Sequence, residues 1–189
     1  MTNPAPSARH HYTYEDYLSY EEKSELKHEF DAGEIYAMAG GSPRHSALAA
    51  QITIALGISR RSGCTVFQSD MRLRVLATGR STYPDVSMVC GPIELDPADR
   101  TGTTITNPTL LVEVLSPTTE EVDRGSKWKD YQLLPSLQEY VLVSQDPRVE
   151  IYRRLPSGSW EYTDVRNGVV TLASGATLDL AVLYRDLPL

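Results

Sequence analysis

The chain has 189 residues, a hydrophobic fraction of 41%, a charged fraction of 23% and a formal charge of −7. This length and composition argue against a disordered chain and allow one domain to bury a core without disulfides or structural metal. The acidic balance repels polyanions, so nucleic acid would be bound through a local basic patch or through cations that neutralise the protein's own carboxylates.

The cysteines and the N-terminus bear on where the protein works. Cys64 and Cys90 are far apart and form neither a Cys-x-x-Cys pair nor a zinc-ligand spacing, so we expect two reduced, buried thiols. The first residues lack the apolar core of a signal peptide, and no run of about eighteen apolar residues occurs. We therefore expect a soluble, cytoplasmic protein with no membrane partner.

The predicted elements begin after a mobile tail. Residues 1–11 are rich in Pro, Ser and His, and a single domain is expected over 12–189. Thr13 and Asp16 form a weak capping box that predicts a short helix. A second helical stretch is predicted from Glu21 to Phe30 and ends at a turn.

The middle of the chain is predicted to combine one helix with several strands. Ser42 followed by Pro43 indicates a helix N-terminus, and the helix runs to about Ser62 with apolar residues at helical spacing. A bulge is predicted near Ser69 and Asp70, where the alternation of the strand changes phase. Strands are predicted at residues 34–38, 64–76, 83–90 and 109–115.

The second half of the chain completes the predicted sheet. Thr118 with Glu121 predicts a capping box for a helix that runs to about Leu134 and is stopped by Pro135. Alternation then predicts strands at 138–144, 148–155 and 160–165, with a closing hairpin. This order indicates an α/β or α+β fold with a curved mixed sheet flanked by helices.

Two predicted strands each carry one carboxylate in an apolar sequence, Asp85 and Glu113. A buried unpaired carboxylate is costly, so each needs a partner, and a divalent cation would serve both. Either carboxylate alone fits a pairing with backbone amides or an arginine equally well. Two of them on neighbouring strands favour metal binding.

A lysine-bearing helix follows these strands. Asp123, Lys127 and Tyr131 are spaced four apart and share one face of the helix, whereas Lys129 points away. The same spacing also fits an ordinary surface Asp–Lys pair that contributes a few tenths of a kcal/mol.

Seven sequence blocks, taken together, resemble the Uma-type putative restriction endonucleases, a family in the PD-(D/E)XK nuclease superfamily. The resemblance runs from about residue 12 to 187. The blocks, in the family's order, are Lys27-His-Glu-Phe-Asp-Ala-Gly-Glu-Ile-Tyr-Ala-Met-Ala-Gly-Gly, His45, Ser69-Asp-Met-Arg, Tyr83-Pro-Asp-Val, Val112-Glu-Val-Leu-Ser-Pro, Asp123-Arg-Gly-Ser-Lys127 with Tyr131, and Leu137-Gln-Glu-Tyr-Val-Leu-Val.

The resemblance implies a restriction-endonuclease-like core and a set of site residues. Asp85 and Glu113 would be the acidic metal ligands, and the backbone carbonyl of Val114 would add an oxygen ligand. Glu29 would be the acidic residue of an N-terminal helix beside the same site.

The resemblance also implies a displaced lysine. The superfamily lysine usually lies two residues after the acid, where this chain has Leu115, and Lys127 on the following helix is the matching position. The implied activity is hydrolysis of DNA phosphodiester bonds with Mg²⁺, for which Mn²⁺ could substitute, through a metal-activated water that Lys127 positions or deprotonates. A homodimer is expected because nucleases that cut both strands often dimerise, and the strands after Val149 would supply an interface.

Three further residues are candidates for contact with the substrate or the attacking water, namely His45, Asp70 and Tyr131. A helix-capping or packing role fits His45 equally well, and Arg72 and Arg74 fit simple solvent-facing strand charges. Two alternatives stay open for the whole protein. One is a catalytically inert, nuclease-fold binding or regulatory module, and the other is a hydrolase of another phosphodiester such as RNA.

Overall fold

A computed structural model describes residues 11–38 and 40–188, so nearly all of the tail predicted over 1–11 lies outside the described residues. A π-helical turn at Asp123–Lys127 joins two short helices into one continuous segment. No helix in the described part of the chain has the length and apolar character needed to cross a bilayer. The helices are Tyr14–Glu21 (α1), Pro43–Ser59 (α2), Glu120–Val122 (α3), Trp128–Tyr131 (α4) and Leu180–Leu183 (α5).

The strands are His28–Asp31 (β1), Glu34–Ala37 (β2), Cys64–Gln68 (β3), Arg72–Arg74 (β4), Ser81–Thr82 (β5), Val86–Cys90 (β6), Thr104–Ile105 (β7), Leu110–Val114 (β8), Glu139–Val143 (β9), Val149–Arg154 (β10), Trp160–Val165 (β11), Val169–Thr171 (β12) and Thr177–Asp179 (β13). A six-stranded sheet has the order β11-β10-β9-β8-β6-β3, and a five-stranded sheet has the order β2-β1-β5-β4-β7. Each of these sheets contains one parallel pair, β8–β9 and β4–β7. The predicted mixed sheet flanked by helices is confirmed, in the form of two such sheets and a small hairpin of β12 and β13.

Strand β8 is the centre of the large sheet and is buried on both faces, as its apolar sequence predicts. Alternate residues of a strand point to opposite faces. Leu110, Val112 and Val114 join the core that contains the buried side of α2, formed by Leu48, Ile52 and Leu56. Leu111 and Leu115 join the core on the other face, which contains Tyr131 and Tyr140. The same alternation directs Glu113 toward the face that α4 covers.

Helix α2 begins as predicted. The Ser42 hydroxyl accepts a hydrogen bond from the backbone N–H of His45, and Pro43 occupies the first turn. Full burial of three aliphatic side chains contributes about 1.5–3 kcal/mol each and fixes α2 on the sheet. The helix N-terminus, with His45 in its first turn, is thereby held at a defined place.

The helix predicted from Glu21 to Phe30 is wrong, because Glu21 is the last residue of α1 and residues 22–27 form an irregular segment of turns and bends. Residues His28–Asp31 form β1, which pairs with β2 through a two-residue turn at Ala32 and Gly33. Both turn residues have positive φ, 49° and 83°, as a type I′ hairpin turn requires. Glu29 therefore lies on a strand and not on the predicted N-terminal helix.

The single bulged strand predicted over 64–76 is also wrong. Strand β3 belongs to the six-stranded sheet and β4 to the five-stranded sheet, and a turn at Ser69 and Asp70 separates them. Arg72 is 4% exposed and pairs with Asp99 at 2.9 Å, so it is not a solvent-facing charge. The polar residues that shift the alternation mark a crossing between two sheets.

The helix that follows β8 forms without the predicted capping box. It begins at Glu120, and its N-cap residue Thr119 makes no side-chain capping hydrogen bond. The Ser116 hydroxyl instead exchanges hydrogen bonds with those of Thr118 and Thr119, each at 3.0 Å. The Thr118 and Thr119 hydroxyls therefore bind Ser116 and do not cap the helix N-terminus.

The prediction of two reduced thiols is wrong as well, because Cys64 and Cys90 form a disulfide. The two residues are direct cross-strand partners in the β3–β6 pair. Their separation of 26 residues in sequence hides this pairing, since only the register of the two strands brings them together. A cytoplasmic location stays a prediction, and stable disulfides are uncommon in that compartment.

Candidate nuclease site

The two predicted acidic residues meet where β6 and β8 run side by side. Asp85 precedes β6 and Glu113 lies in β8, and the strands pair antiparallel with Val86 opposite Val112. The Asp85 N–H donates to Glu113 Oε2 at 3.2 Å, and the Val114 N–H donates to Asp85 Oδ2 at 2.7 Å. The backbone of each strand thus holds the carboxylate of the other.

The helical segment after β8 folds back over the strand and completes the site. Lys127 Nζ and the Tyr131 hydroxyl both donate to Glu113 Oε1, at 3.2 and 3.1 Å. The shared helix face predicted from the spacing of four is confirmed. Leu115, at the usual lysine position, is instead a buried core residue.

Lys127 is surrounded by three carboxylates. Its Nζ lies 3.2 Å from Glu29 Oε1, 3.2 Å from Glu113 Oε1 and 3.1 Å from Asp123 Oδ1. The Glu29 carboxylate also accepts a hydrogen bond from Thr82 on the neighbouring strand β5, and its ion pair with Lys127 joins the five-stranded sheet to the site. The Lys127 and Glu113 side chains are only 8% and 4% exposed. Three carboxylates therefore face one ammonium in a region with little access to solvent.

This imbalance shifts the pKa values of the group. Burial raises the pKa of Glu113 well above its usual range, and the nearby Asp123, Asp85 and Glu29 raise it further against the opposing effect of Lys127. Burial likewise raises the pKa of Asp123. For Lys127 burial acts in the opposite direction, but the surrounding carboxylates outweigh it and raise the pKa well above the usual value. The lysine is thus held as an ammonium ion.

His45 lies on the open side of Asp85. Its Nε2 is 3.2 Å from Asp85 Oδ2. The hydrogen bond to Asp85 is the main cause of a raised His45 pKa, with burial opposing it. His45 therefore has both roles considered from the sequence. Its backbone N–H takes part in the cap at Ser42, and its side chain contacts Asp85 in the site.

A cavity of about 840 Å³ opens above these residues. Its walls are the β1–β2 hairpin, the N-terminus of α2, the loop at 116–119 and the π-helical turn. Glu29, His45, Asp85, Glu113 and Lys127 all line it, so five of the predicted site residues share one accessible space.

Comparison with known proteins identifies the family. A family model described as "Uma2: Putative restriction endonuclease" matches residues 14–184. The chain belongs to this family. It is 37% identical over 178 residues to the uncharacterized protein slr1290 of Synechocystis sp. (strain ATCC 27184 / PCC 6803 / Kazusa), covering 92% of this chain and 91% of that protein. It is 35% identical over 156 residues to the uncharacterized protein sll1609 of the same strain, covering 81% and 86%.

A solved structure supports the same assignment at the level of the fold. The chain is similar, with a TM-score of 0.68 and 20% identity, to the crystal structure of a putative nuclease belonging to DUF820 from Anabaena variabilis ATCC 29413. The likeness covers 87% of this chain and 93% of that one. The Uma2 family member described here therefore has a nuclease-like fold.

The donor set of this Uma2 site fits a hard divalent cation. Asp85, Glu113 and the Val114 carbonyl offer only oxygen atoms, and the carboxylates around Lys127 leave an excess of negative charge. Within the described residues, no three His, Cys, Asp or Glu side chains converge at metal-binding geometry. A set of two carboxylates and one carbonyl suits Mg²⁺ because this ion keeps several of its waters.

One predicted site residue lies elsewhere. Asp70 is at the turn after β3, where its carboxylate pairs with Lys27 and Gln68, and it does not line the cavity. A substrate contact by Asp70 has no support in this geometry. Tyr131 lies beneath Glu113 and is fully buried, so its position suits orientation of that carboxylate.

Sequence reasoning gives no role to two residues of the Uma2 site. The sequence marks Asp123 only as the partner in an i,i+4 pair with Lys127, and that spacing does not distinguish a buried pair from a surface one. Thr82, which binds Glu29, carries no sequence signal, because its β5 strand is two residues long and meets β1 only through the fold.

Proposed function

We propose that this protein is a Mg²⁺-dependent endonuclease that hydrolyses DNA phosphodiester bonds. The observation that carries the proposal is the convergence on Glu113, where Asp85 is tied to one carboxylate oxygen and Lys127 to the other. Two neighbouring strands and the next helix thereby present two acidic oxygen ligands and one ammonium to a single cavity.

The roles of the chain's own residues follow from their surroundings. Asp85, Glu113 and the Val114 carbonyl would hold the ion, for which Mn²⁺ is a substitute. When bound, the ion supplies a water of lowered pKa and positive charge for the leaving oxygen.

Lys127, whose pKa the surrounding carboxylates raise, would position the water and stabilise charge on the phosphate. Three carboxylates hold its ammonium and fix where its hydrogen bonds are directed. His45, whose Nε2 lies 3.2 Å from Asp85 Oδ2, would contact a water bound beside that carboxylate.

The test is nicking of supercoiled plasmid DNA by purified protein with Mg²⁺ or Mn²⁺. We expect Asp85→Ala and Glu113→Gln to lower the rate by about 10³-fold, equivalent to about 4 kcal/mol of transition-state stabilisation. Asp70→Ala is the matched control, because this carboxylate lies outside the cavity, and its rate should equal that of the wild type. Failure to cleave any DNA or RNA form with either ion would contradict the proposal.

The second candidate is a catalytically inert module that keeps the fold. It is favoured by the charge of −7 and by the absence, in the described residues, of three converging metal-binding side chains. Calorimetric titration with MgCl₂ separates the two candidates. Binding at millimolar or lower concentration that is lost in Asp85→Ala supports the nuclease, and no binding at millimolar concentration supports the inert module.

A homodimer belongs to the same proposal. Strand β11 is an edge of the six-stranded sheet, and its residues 161–164 are exposed. An exposed edge strand offers unpaired backbone groups to another chain. Sedimentation at micromolar protein tests this, and a strictly monomeric species would contradict it.

A further inference from the structure

The cavity above the site is small compared with a duplex. Its volume of about 840 Å³ lies in the range of about 300–1,000 Å³ that proteins use for small ligands. Glu113 and Asp123 line it with side chains that are only 4% and 2% exposed. A phosphate on the outside of a continuous helix would have to enter this space to reach them.

The cavity is also acidic. Five of its lining side chains are carboxylates, whereas its lysine and its arginine, Lys127 and Arg80, are both held in ion pairs. A duplex carries one negative charge per about 1.7 Å of axis and is bound by basic side chains along its backbone. The described lining residues provide no such track, so a bound metal ion would have to neutralise the few phosphates that enter.

An aromatic ring lies beside the reacting groups. Tyr36 is the direct cross-strand partner of Glu29 in the β1–β2 hairpin, lines the cavity and is 49% exposed. Val122, one residue before Asp123, lines the cavity from the helical side and is 43% exposed. Exposed rings of this kind stack on unpaired bases without regard to sequence.

We propose that the site takes an unpaired nucleotide of a DNA strand and not a continuous duplex. Its base packs on Tyr36 and Val122 while its phosphate lies at Asp85 and Glu113. The inference rests on the proposed nuclease function and names its substrate class. Enzymes that act on extruded or single-stranded nucleotides use enclosed pockets with stacking side chains in the same way.

The experiment compares three DNA forms that share one labelled strand: the strand alone, a blunt duplex, and a duplex with a central unpaired bubble. With Mg²⁺ or Mn²⁺ we expect the strand and the bubble to be cut at least 10-fold faster than the blunt duplex. An equal or faster rate on the duplex overturns this inference and leaves the proposed nuclease function intact. Faster cutting of an RNA strand of the same sequence overturns the assignment to DNA.

Binding tests the inference even if no form is cut. Fluorescence anisotropy in Ca²⁺ should show at least 10-fold tighter binding of the single strand than of the duplex. Its affinity should fall only weakly with salt, with a logarithmic slope of magnitude about 1–2, as expected for contact with few phosphates. Equal binding of the two forms, or a steep slope, overturns it.

Tyr36→Ala should weaken single-strand binding about 10-fold, and Tyr36→Phe should restore it. Tyr20→Ala is the matched control. Tyr20 is similarly exposed, at 51%, but it does not line the cavity. An equal loss in both alanine variants contradicts a stacking role for Tyr36.

Discussion

Two of the buried charge clusters in the described residues differ in their balance of positive and negative groups. On the five-stranded sheet Arg72 pairs with Asp99 at 2.9 Å and Arg74 with Asp96 at 3.6 Å, so each carboxylate has an arginine. At the candidate site three carboxylates face the single ammonium of Lys127. The positive and negative charges of the first cluster are equal in number, whereas in the second the carboxylates outnumber the ammonium.

The pKa values follow this difference. Burial alone would raise the pKa of Asp99, but hydrogen bonds from Thr101, Thr104 and Arg72 outweigh it and hold the pKa well below the usual range. Burial raises the pKa of Glu113, and the neighbouring carboxylates add to this effect. The lowered pKa of Asp99 means that its pairing stabilises the fold. A raised carboxylate pKa in a cavity, as at Glu113, is typical of functional sites and supports the function proposed above.

The largest effect is expected when the cation of the unbalanced cluster is removed. Lys127→Met leaves Glu29, Glu113 and Asp123 without the ammonium that faces all three, and breaking a buried ion cluster in this way costs about 3–5 kcal/mol. The measurement is urea unfolding at pH 7, where the midpoint should fall. Millimolar Mg²⁺ should restore part of the loss because a bound cation replaces the missing charge. An unchanged midpoint would show that the three carboxylates are not charged together.

A slightly smaller effect is expected in the balanced cluster. Asp99→Asn removes the charge that Arg72 faces and weakens the acceptor of Thr104, which should cost about 3 kcal/mol. Nuclease activity at a temperature where the variant is folded should equal that of the wild type, since Asp99 does not line the cavity. Loss of activity in the folded variant would mean that the two clusters are coupled.

Lowering the pH should change the free energy of unfolding in opposite directions at the two clusters. A carboxylate with a raised folded pKa, such as Glu113, costs stability at neutral pH, and this cost is relieved as pH falls through the folded pKa toward the ordinary value of 4.5. A carboxylate with a depressed pKa, such as Asp99, contributes stability that is lost as pH falls below its ordinary value of 3.8. Mild acid should therefore relieve the unbalanced cluster before stronger acid weakens the balanced one.

The measurement is the free energy of unfolding of the wild type and of Glu113→Gln between pH 7 and pH 5. The wild type should gain stability relative to the variant over this window, because the variant lacks the group that takes up the proton. Parallel curves would contradict a raised Glu113 pKa.

The parts of the candidate site that a local sequence pattern marks as buried were predictable from the sequence. An apolar strand interrupted by Glu113 marks a buried carboxylate, and the spacing of Lys127 and Tyr131 fixes their common helix face. Ser42 and Pro43 likewise mark the start of α2, since capping is a local interaction.

Features that depend on which strands meet were not predictable in this way. The Cys64–Cys90 bond, the burial of Arg72 and the contact of Thr82 with Glu29 each arise from strand register or from the packing of two sheets. The strand that carries Glu29 has a sequence typical of a helix end, because polar residues before a turn occur at both helix and strand ends. The positive φ values of Ala32 and Gly33, which the sequence does not reveal, distinguish the hairpin from a helix end.

The smallest effect is expected at Lys129. This lysine tests whether the stability loss in Lys127→Met comes from the buried position of the charge or from removal of any lysine in this segment. Lys129 is two residues from Lys127 in the same segment but is exposed. Lys129→Met should change the free energy of unfolding by less than about 0.5 kcal/mol, as for most surface substitutions. Plasmid nicking and the response to Mg²⁺ should match those of the wild type. If Lys129→Met lowered the free energy of unfolding as much as Lys127→Met, the net charge of the helical segment would explain both results. The contacts of Lys127 with the three carboxylates would then not be needed to explain its effect.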